Sequence, residues 1–226
     1  MNEKKKTKLM QNFLKELADG KVTRREFMGR MAMIGAATTL PLAFSDKKAI
    51  AAATPNKGGI LRVGIAHGST TETYDPATIE SGFQAALSRT MTNTLTEIDA
   101  DNKVIPCLAE SWDSTADAST WTFKIRKGVE FHNGKSLTAK DVIASMNYHR
   151  GKDSKSSVKP LTDPIVNLKA DGDYTVVFEL SGGNADFPFN LDTEGFAIYP
   201  AAKDGSLDWK PGIASGAYIL KNFEPG

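Results

Sequence analysis

Thr120-Trp121-Thr122-Phe123-Lys124-Ile125-Arg126-Lys127-Gly128, running on through Phe131-His132-Asn133-Gly134 to Thr138-Ala139-Lys140-Asp141-Val142, decides the fold. Trp121, Phe123 and Ile125 alternate with Thr122, Lys124 and Arg126, the pattern of a strand with one buried face. Lys127-Gly128 and Asn133-Gly134 supply turns. Thr138 with Asp141 three residues on predicts a capping box that opens a helix through Val142, Ile143 and Met146. Trp112, Trp121 and Phe123 bring large apolar area, at ~25 cal/mol per Å² buried.

Outward from this block the pattern stays mixed. Downstream, Gly151–Lys159 reads as a charged, serine-rich surface loop. Ile165–Leu168 and Tyr174–Leu180 flank Ala170-Asp171-Gly172-Asp173 as a hairpin, with Tyr174, Val176, Phe178 and Leu180 on one face. Upstream, Ser81 with Gln84 forms a second capping box, and Phe83, Leu87, Met91, Leu95 and Ile98 recur at helical spacing as a core stripe. Thr54–Gly59 is a linker into Ile60–Ile65, expected to be a buried strand, and His67–Thr73 is a polar loop. Ala217–Leu220 looks strand-like, and the sequence stops directly behind it as if cut off. Strands and helices mix without regular β-α-β alternation, so the class is α/β or α+β with a strand-rich middle.

The amino terminus reads differently. Thr23-Arg24-Arg25-Glu26-Phe27-Met28-Gly29 precedes a weakly apolar run, Met31–Phe44, diluted by Gly35, Thr38, Thr39 and Pro41. Adjacent arginines ahead of a short apolar segment point to a twin-arginine export signal carried by Arg24, Arg25 and Phe27, an ordinary secretory signal being the alternative. A membrane anchor needs roughly 20 apolar residues. Ala49, Ala51 and Ala53 offer cleavage after Ala51 or Ala53, giving a leader of 1–53 and a soluble periplasmic domain of 54–226. The leader's 11 basic and 5 acidic residues, taken from totals of 28 and 27, leave 17 basic and 22 acidic. That mildly acidic remainder argues against nucleic acid as a partner. Cys107 is the single cysteine, too far from the cleavage region to carry lipid, and reads as a small buried hydrophobe.

Tests for catalysis return little. His67, His132 and His149 are scattered without metal-ligand spacing and read as loop or surface histidines. The sequence has no G-x-S-x-G elbow, no phosphate-binding G-x-x-x-x-G-K and no dinucleotide G-x-G-x-x-G. Carboxylates are too dispersed to decide acid–base chemistry either way. No ligand set for a metal or other cofactor emerges.

Pro106-Cys107-Leu108-Ala109-Glu110-Ser111-Trp112 together with the Thr120–Val142 block resembles the dipeptide/oligopeptide/nickel family of extracellular solute-binding proteins, which feed ATP-binding-cassette importers. Gly58-Gly59-Ile60-Leu61-Arg62 resembles the family's opening strand and Tyr74-Asp75-Pro76 its first loop. Ser215-Gly216-Ala217-Tyr218 resembles its glycine-rich turn, with Ala217 where proline is usual. The similarity runs from about Gly58 to Gly226. It implies a two-lobed fold of the periplasmic binding protein type II kind that closes on its ligand by hinge motion. Only the first lobe, with a β-rich subdomain at about 105–198, is expected in this chain.

The resemblance implies a protein that carries a peptide-like solute to permease subunits without transforming it; a monomer is expected, exported by the twin-arginine translocase to which the Arg24-Arg25 signal points. Nickel chelate, haem, an opine or an oligosaccharide are alternative ligands. An exported enzyme with its active site beyond residue 226 is the alternative of another class; a structural or adhesive domain is disfavoured by the lack of repeats. The loop residues Gly68, Ser69 and Thr71 and the helix-start residues Glu80, Ser81, Gly82 and Phe83 are the candidates for facing the cleft, as against being plain loop and cap residues.

Overall fold

The computed structural model describes residues 58–66 and 68–225, with 11–13, 15–16, 19–22 and 26. Arg24, Arg25, Phe27, the apolar run Met31–Phe44, the expected cleavage region and His67 lie outside the described residues. Among those described, no helix is long and apolar enough to cross a membrane. The fold below belongs to the unit Val63–Gly226.

A 3-10 turn, Pro76–Thr78, leads to helix α1, Gly82–Met91. A hairpin of β1, Thr96–Ile98, and β2, Val104–Pro106, precedes β3, Ala109–Ser114, and β4, Thr120–Ile125. Helix α2, Ala139–Tyr148, and the one-turn α3, Lys159–Thr162, come before β5, Ile165–Ala170, and β6, Thr175–Leu180. The one-turn α4, Phe187–Asn190, and a 3-10 turn, Glu194–Phe196, follow. Four strands form one antiparallel sheet in the order β3-β4-β6-β5. Register slips between Ala109 and Ser111 in β3 and between Ile165 and Asn167 in β5 mark both outer strands.

Alternation along β4 and β6 builds the core. Phe123 pairs with Val176 and Trp121 with Phe178 across the ladder, so their side chains share a face. Phe123 and Phe178 are fully buried and meet edge to face at 5.5 Å. Burial of rings of this kind stabilises by roughly 2 kcal/mol each. Val142 and Met146 of α2 join the same cluster, which is why that helix carries its apolar residues four apart.

Asp141 fixes the start of α2. Its fully buried carboxylate accepts from the Thr138 N–H (2.8 Å) and hydroxyl (2.9 Å), the Ala201 N–H (2.7 Å) and Lys135 Nζ (2.7 Å). The third-position carboxylate of the expected capping box thus also ties down the later Ala201 segment.

A smaller cluster joins Met91 to Ala197, Tyr199 and Ala214, with Leu87 and Trp209 beside it. Here Gly216 crosses the end of α1, its N–H donating to Met91 O at 2.9 Å. A Cβ at this position would stand 2.4 Å from Met91 C and 2.6 Å from Thr92 N. Gly216 is not in the left-handed region, so closeness alone demands glycine.

Four expectations need correction. Ile60–Ile65 is no buried strand: Ile60 and Leu61 are more than four-fifths exposed, and no described segment pairs with this stretch to supply a ladder. Ala217–Leu220 likewise is no strand: the chain bends at Ala217 and Tyr218 and runs on irregularly, with Tyr218 and Ile219 exposed. The stripe from Phe83 to Ile98 is not one helix. At Thr92 the backbone turns extended, the Thr92 hydroxyl bonds back to Ser88 O (2.7 Å), and Thr94 bonds Thr96 O (2.7 Å). Side-chain hydroxyls competing for backbone partners end the helix, leaving Leu95 in the loop and Ile98 on β1. Finally, His149 is fully buried rather than on the surface, because α2 ends with this residue turned inward against Phe196.

Candidate functional site

Two capping devices build a polar bowl. Asp75 Oδ1 accepts from Ala77 N–H at 2.9 Å and starts the 3-10 turn. Ser81 Oγ accepts from Gln84 N–H at 3.2 Å, while Gln84 Oε1 accepts from the Glu80 and Ser81 N–H groups at 3.0 Å each. Gln84 Nε2 then donates to Thr73 O at 3.0 Å, lashing the preceding loop to the start of α1. Ser81 Oγ also donates to Glu72 Oε1 at 3.2 Å.

Between loop and helix lies a concavity of about 470 Å³, within the size range of small-ligand sites. Ser69, Thr71, Glu72 and Thr73 form its loop wall, and Thr78, Glu80, Ser81 and Gln84 its helical wall. Hydroxyls and two carboxylates dominate, and among the described residues no lysine or arginine lines it. Such a wall suits N–H and ammonium donors. Four of the seven sequence candidates, Ser69, Thr71, Glu80 and Ser81, are brought together here. Gly68 lies beside the bowl without lining it. Gly82 faces open space, and Phe83 stacks on Phe223 at 6.5 Å. Glu72, Thr73, Thr78 and Gln84 were not singled out by sequence; Gln84 was legible only as a capping residue.

Aromatic and phenolic groups stiffen the neighbouring structure. Tyr74 meets Phe223 edge-on at 5.1 Å and Trp209 at 5.6 Å, and its hydroxyl donates to Lys210 O. Tyr148 donates its hydroxyl to Asp75, 3.1 Å from both carboxylate oxygens, and accepts from Trp209 Nε1 at 2.9 Å. Burial, then the Asp75 charge, raises the Tyr148 pKa, so the phenol stays a donor.

Other reactive groups stand apart. Burial first, then Glu97, pushes the Cys107 thiol up to about 11, which leaves it protonated and inert at neutral pH. Among the described residues no three His, Cys, Asp or Glu side chains gather to hold a metal ion. His132 and His149 are engaged in separate hydrogen bonds.

The sheet-bearing α/β lobe with its polar bowl has the build of a binding scaffold. Residues 103–226, more than half the chain, match the bacterial extracellular solute-binding proteins, family 5 (middle region), and the chain belongs to that family. It is 30% identical over 142 residues to the oligopeptide-binding protein AppA of Bacillus subtilis, covering 58% of this chain and 26% of AppA. With the periplasmic oligopeptide-binding protein OppA of Escherichia coli it shares 30% identity over 183 residues, covering 70% and 33%. The solved structure of AppA in complex with a nonapeptide superposes with a TM-score of 0.63 at 25% identity, over 71% of this chain and 34% of that one. AgaA in complex with agropinic acid, from A. tumefaciens R10, shares the fold with a TM-score of 0.63 at 24% identity, covering 69% and 32%. The chain thus matches between about a quarter and a third of the length of these relatives.

Proposed function

We propose that this chain is the first-lobe portion of a periplasmic substrate-binding component of an ATP-binding-cassette importer, holding a peptide-like solute for delivery to permease subunits. The observation that carries the reading is the polar bowl between Ser69–Thr73 and Thr78–Gln84, set in a family 5 lobe. Its hydroxyls and carboxylates would meet the N–H groups of a peptide main chain, directly or through water. Relatives named for oligopeptide binding, one of them solved with a nonapeptide, support the ligand class. Gly68, Gly82 and Phe83 would act at the rim. The protein would work as a monomer and without catalysis, as a member of a family of solute-binding proteins.

The export leader would occupy 1–53, the lobe 54–226 and a β-rich subdomain about 105–198, with the twin-arginine translocase as the export partner. Sheet and large core cluster falling between Leu95 and Ile198 support the last of these bounds. The test is mass spectrometry of small molecules retained by the full-length protein from the periplasm. Di- or oligopeptides are expected; a single non-peptide solute, or turnover of the bound compound, would overturn the proposal.

A further inference from the structure

The strap Ala214–Tyr218 is held from two sides. On one side Gly216 N–H donates to Met91 O (2.9 Å) and Tyr218 N–H to Thr90 O (3.2 Å), at the end of α1. Ser215 Oγ also donates to Asn93 Oδ1 (3.3 Å). On the other side stands His132, from the turn between β4 and α2. Its backbone N–H donates to Ala214 O (2.8 Å), its Nδ1 receives the Ala214 N–H (3.3 Å), and its Nε2 lies 2.9 Å from Gly216 O. These bonds fix the tautomer. An N–H must meet a lone pair at Nδ1, and a carbonyl must meet a hydrogen at Nε2. Only the neutral imidazole protonated at Nε2 satisfies both.

We propose that His132 is a tautomer-specific clasp that fastens the Ala214–Tyr218 strap to the sheet-bearing part of the lobe and lets it go in acid. A second proton can enter only at Nδ1, where it would point at the Ala214 N–H, donor against donor. The ring is the group whose charge decides the matter. From Pro211 to Ala217 the strap carries no titratable side chain. On α1, Arg89 is engaged by Asp192 and Glu194. On the ring's own turn, Lys135 is taken by Asp141, and Glu130 is exposed. Neither ring nitrogen bonds a carboxylate that would reward the positive form. Beyond Tyr218 the strap runs to Phe223, which packs on Tyr74 and Phe83, the chain neighbours of the bowl residues Thr73 and Gln84.

The test uses the ¹⁵N-labelled chain carrying His149→Gln, which removes the other acid-sensitive histidine. Long-range ¹⁵N–¹H correlation at about pH 8 is expected to show His132 with hydrogen on Nε2; the Nδ1–H form would overturn the proposal. Amide exchange at Gly216 and Tyr218, corrected for intrinsic rates, is expected to rise roughly tenfold from about pH 8 to about pH 5, with β6 amides unmoved. His132→Asn keeps an acceptor for Ala214 and cannot charge, so the added acid response should vanish in it. Strap exchange that ignores pH, rises in step with β6, or rises equally in the His132→Asn variant would each overturn the clasp.

Discussion

Acid should unfold this lobe through His149, by an amount the surroundings of the ring set. The imidazole is fully buried, edge-on to Tyr148 at 5.5 Å and to Phe196 at 5.7 Å. Nδ1 lies 2.7 Å from Ser156 Oγ, and Nε2 is buried without a hydrogen-bond partner among the described residues. An imidazolium carries hydrogen on both nitrogens, so one would face apolar surroundings. Burial pushes the pKa down to about 4; the Gly195 backbone offsets part of this, though no hydrogen bond of good geometry reaches Nε2. In the unfolded chain the value is about 6.5. Between these values the unfolded state binds more protons, so stability rises with pH across the window. The contribution is complete above about pH 6.5, falls as pH drops toward 4, and is fully lost below that. At roughly 1.4 kcal/mol per unit the whole window amounts to about 3 kcal/mol, of which about 2 kcal/mol is gone by about pH 5. Urea unfolding of the wild-type chain and His149→Gln across this range measures it. The stability difference between them should change by about 2 kcal/mol from about pH 7.5 to about pH 5, to the wild type's disadvantage. Parallel pH profiles, or an NMR titration of folded His149 near its ordinary value, would refute the reasoning.

Gly216→Ala should lower stability by about 1–3 kcal/mol in urea unfolding, because the new methyl meets backbone that cannot swing aside. Gly82→Ala, at a helix start with open space, should be neutral or stabilising by up to about 1 kcal/mol in the same assay. Asp141→Ala strands Thr138 and Ala201 donors and should cost about 3 kcal/mol by thermal or urea melts, with Asp141→Asn milder; Lys135, partly exposed, can turn to water. Gln84→Ala cuts the tie to Thr73 and should speed amide exchange around the loop and the start of α1, while global stability falls by only about 1 kcal/mol.

Local chemistry was the readable part of this sequence. Thr138/Asp141 and Ser81/Gln84 announced two helix starts, and alternation at Trp121–Ile125 and Tyr174–Leu180 announced the paired centre of the sheet. Where the sequence misled, the deciding partner was one that neither periodicity nor composition registers. Periodicity ran on past Met91 because it does not register hydroxyls that bond backward to the chain. Ile60–Ile65 reads as a strand from composition, yet a strand needs a neighbour. Val142, Met146 and His149 fall at helical spacing, a signal for the buried histidine that its polarity masked. The candidate site was half legible: hydroxyls and caps pointed to Ser69, Thr71, Glu80 and Ser81, whereas Glu72 and Gln84 joined through contacts no spacing encodes.

All four strands of the sheet fall between Ala109 and Leu180, and among the described residues each pairs only with others in that span. Once Leu180 has left the ribosome, every ladder can close while later residues are still being added, since amino-terminal segments fold first during synthesis. The two kinked outer strands, bearing Glu110 and Asp113 on one border and Lys169 on the other, make poor templates for a neighbouring nascent chain. A crowded polysome can therefore hold many half-made copies of this lobe without their sheets joining.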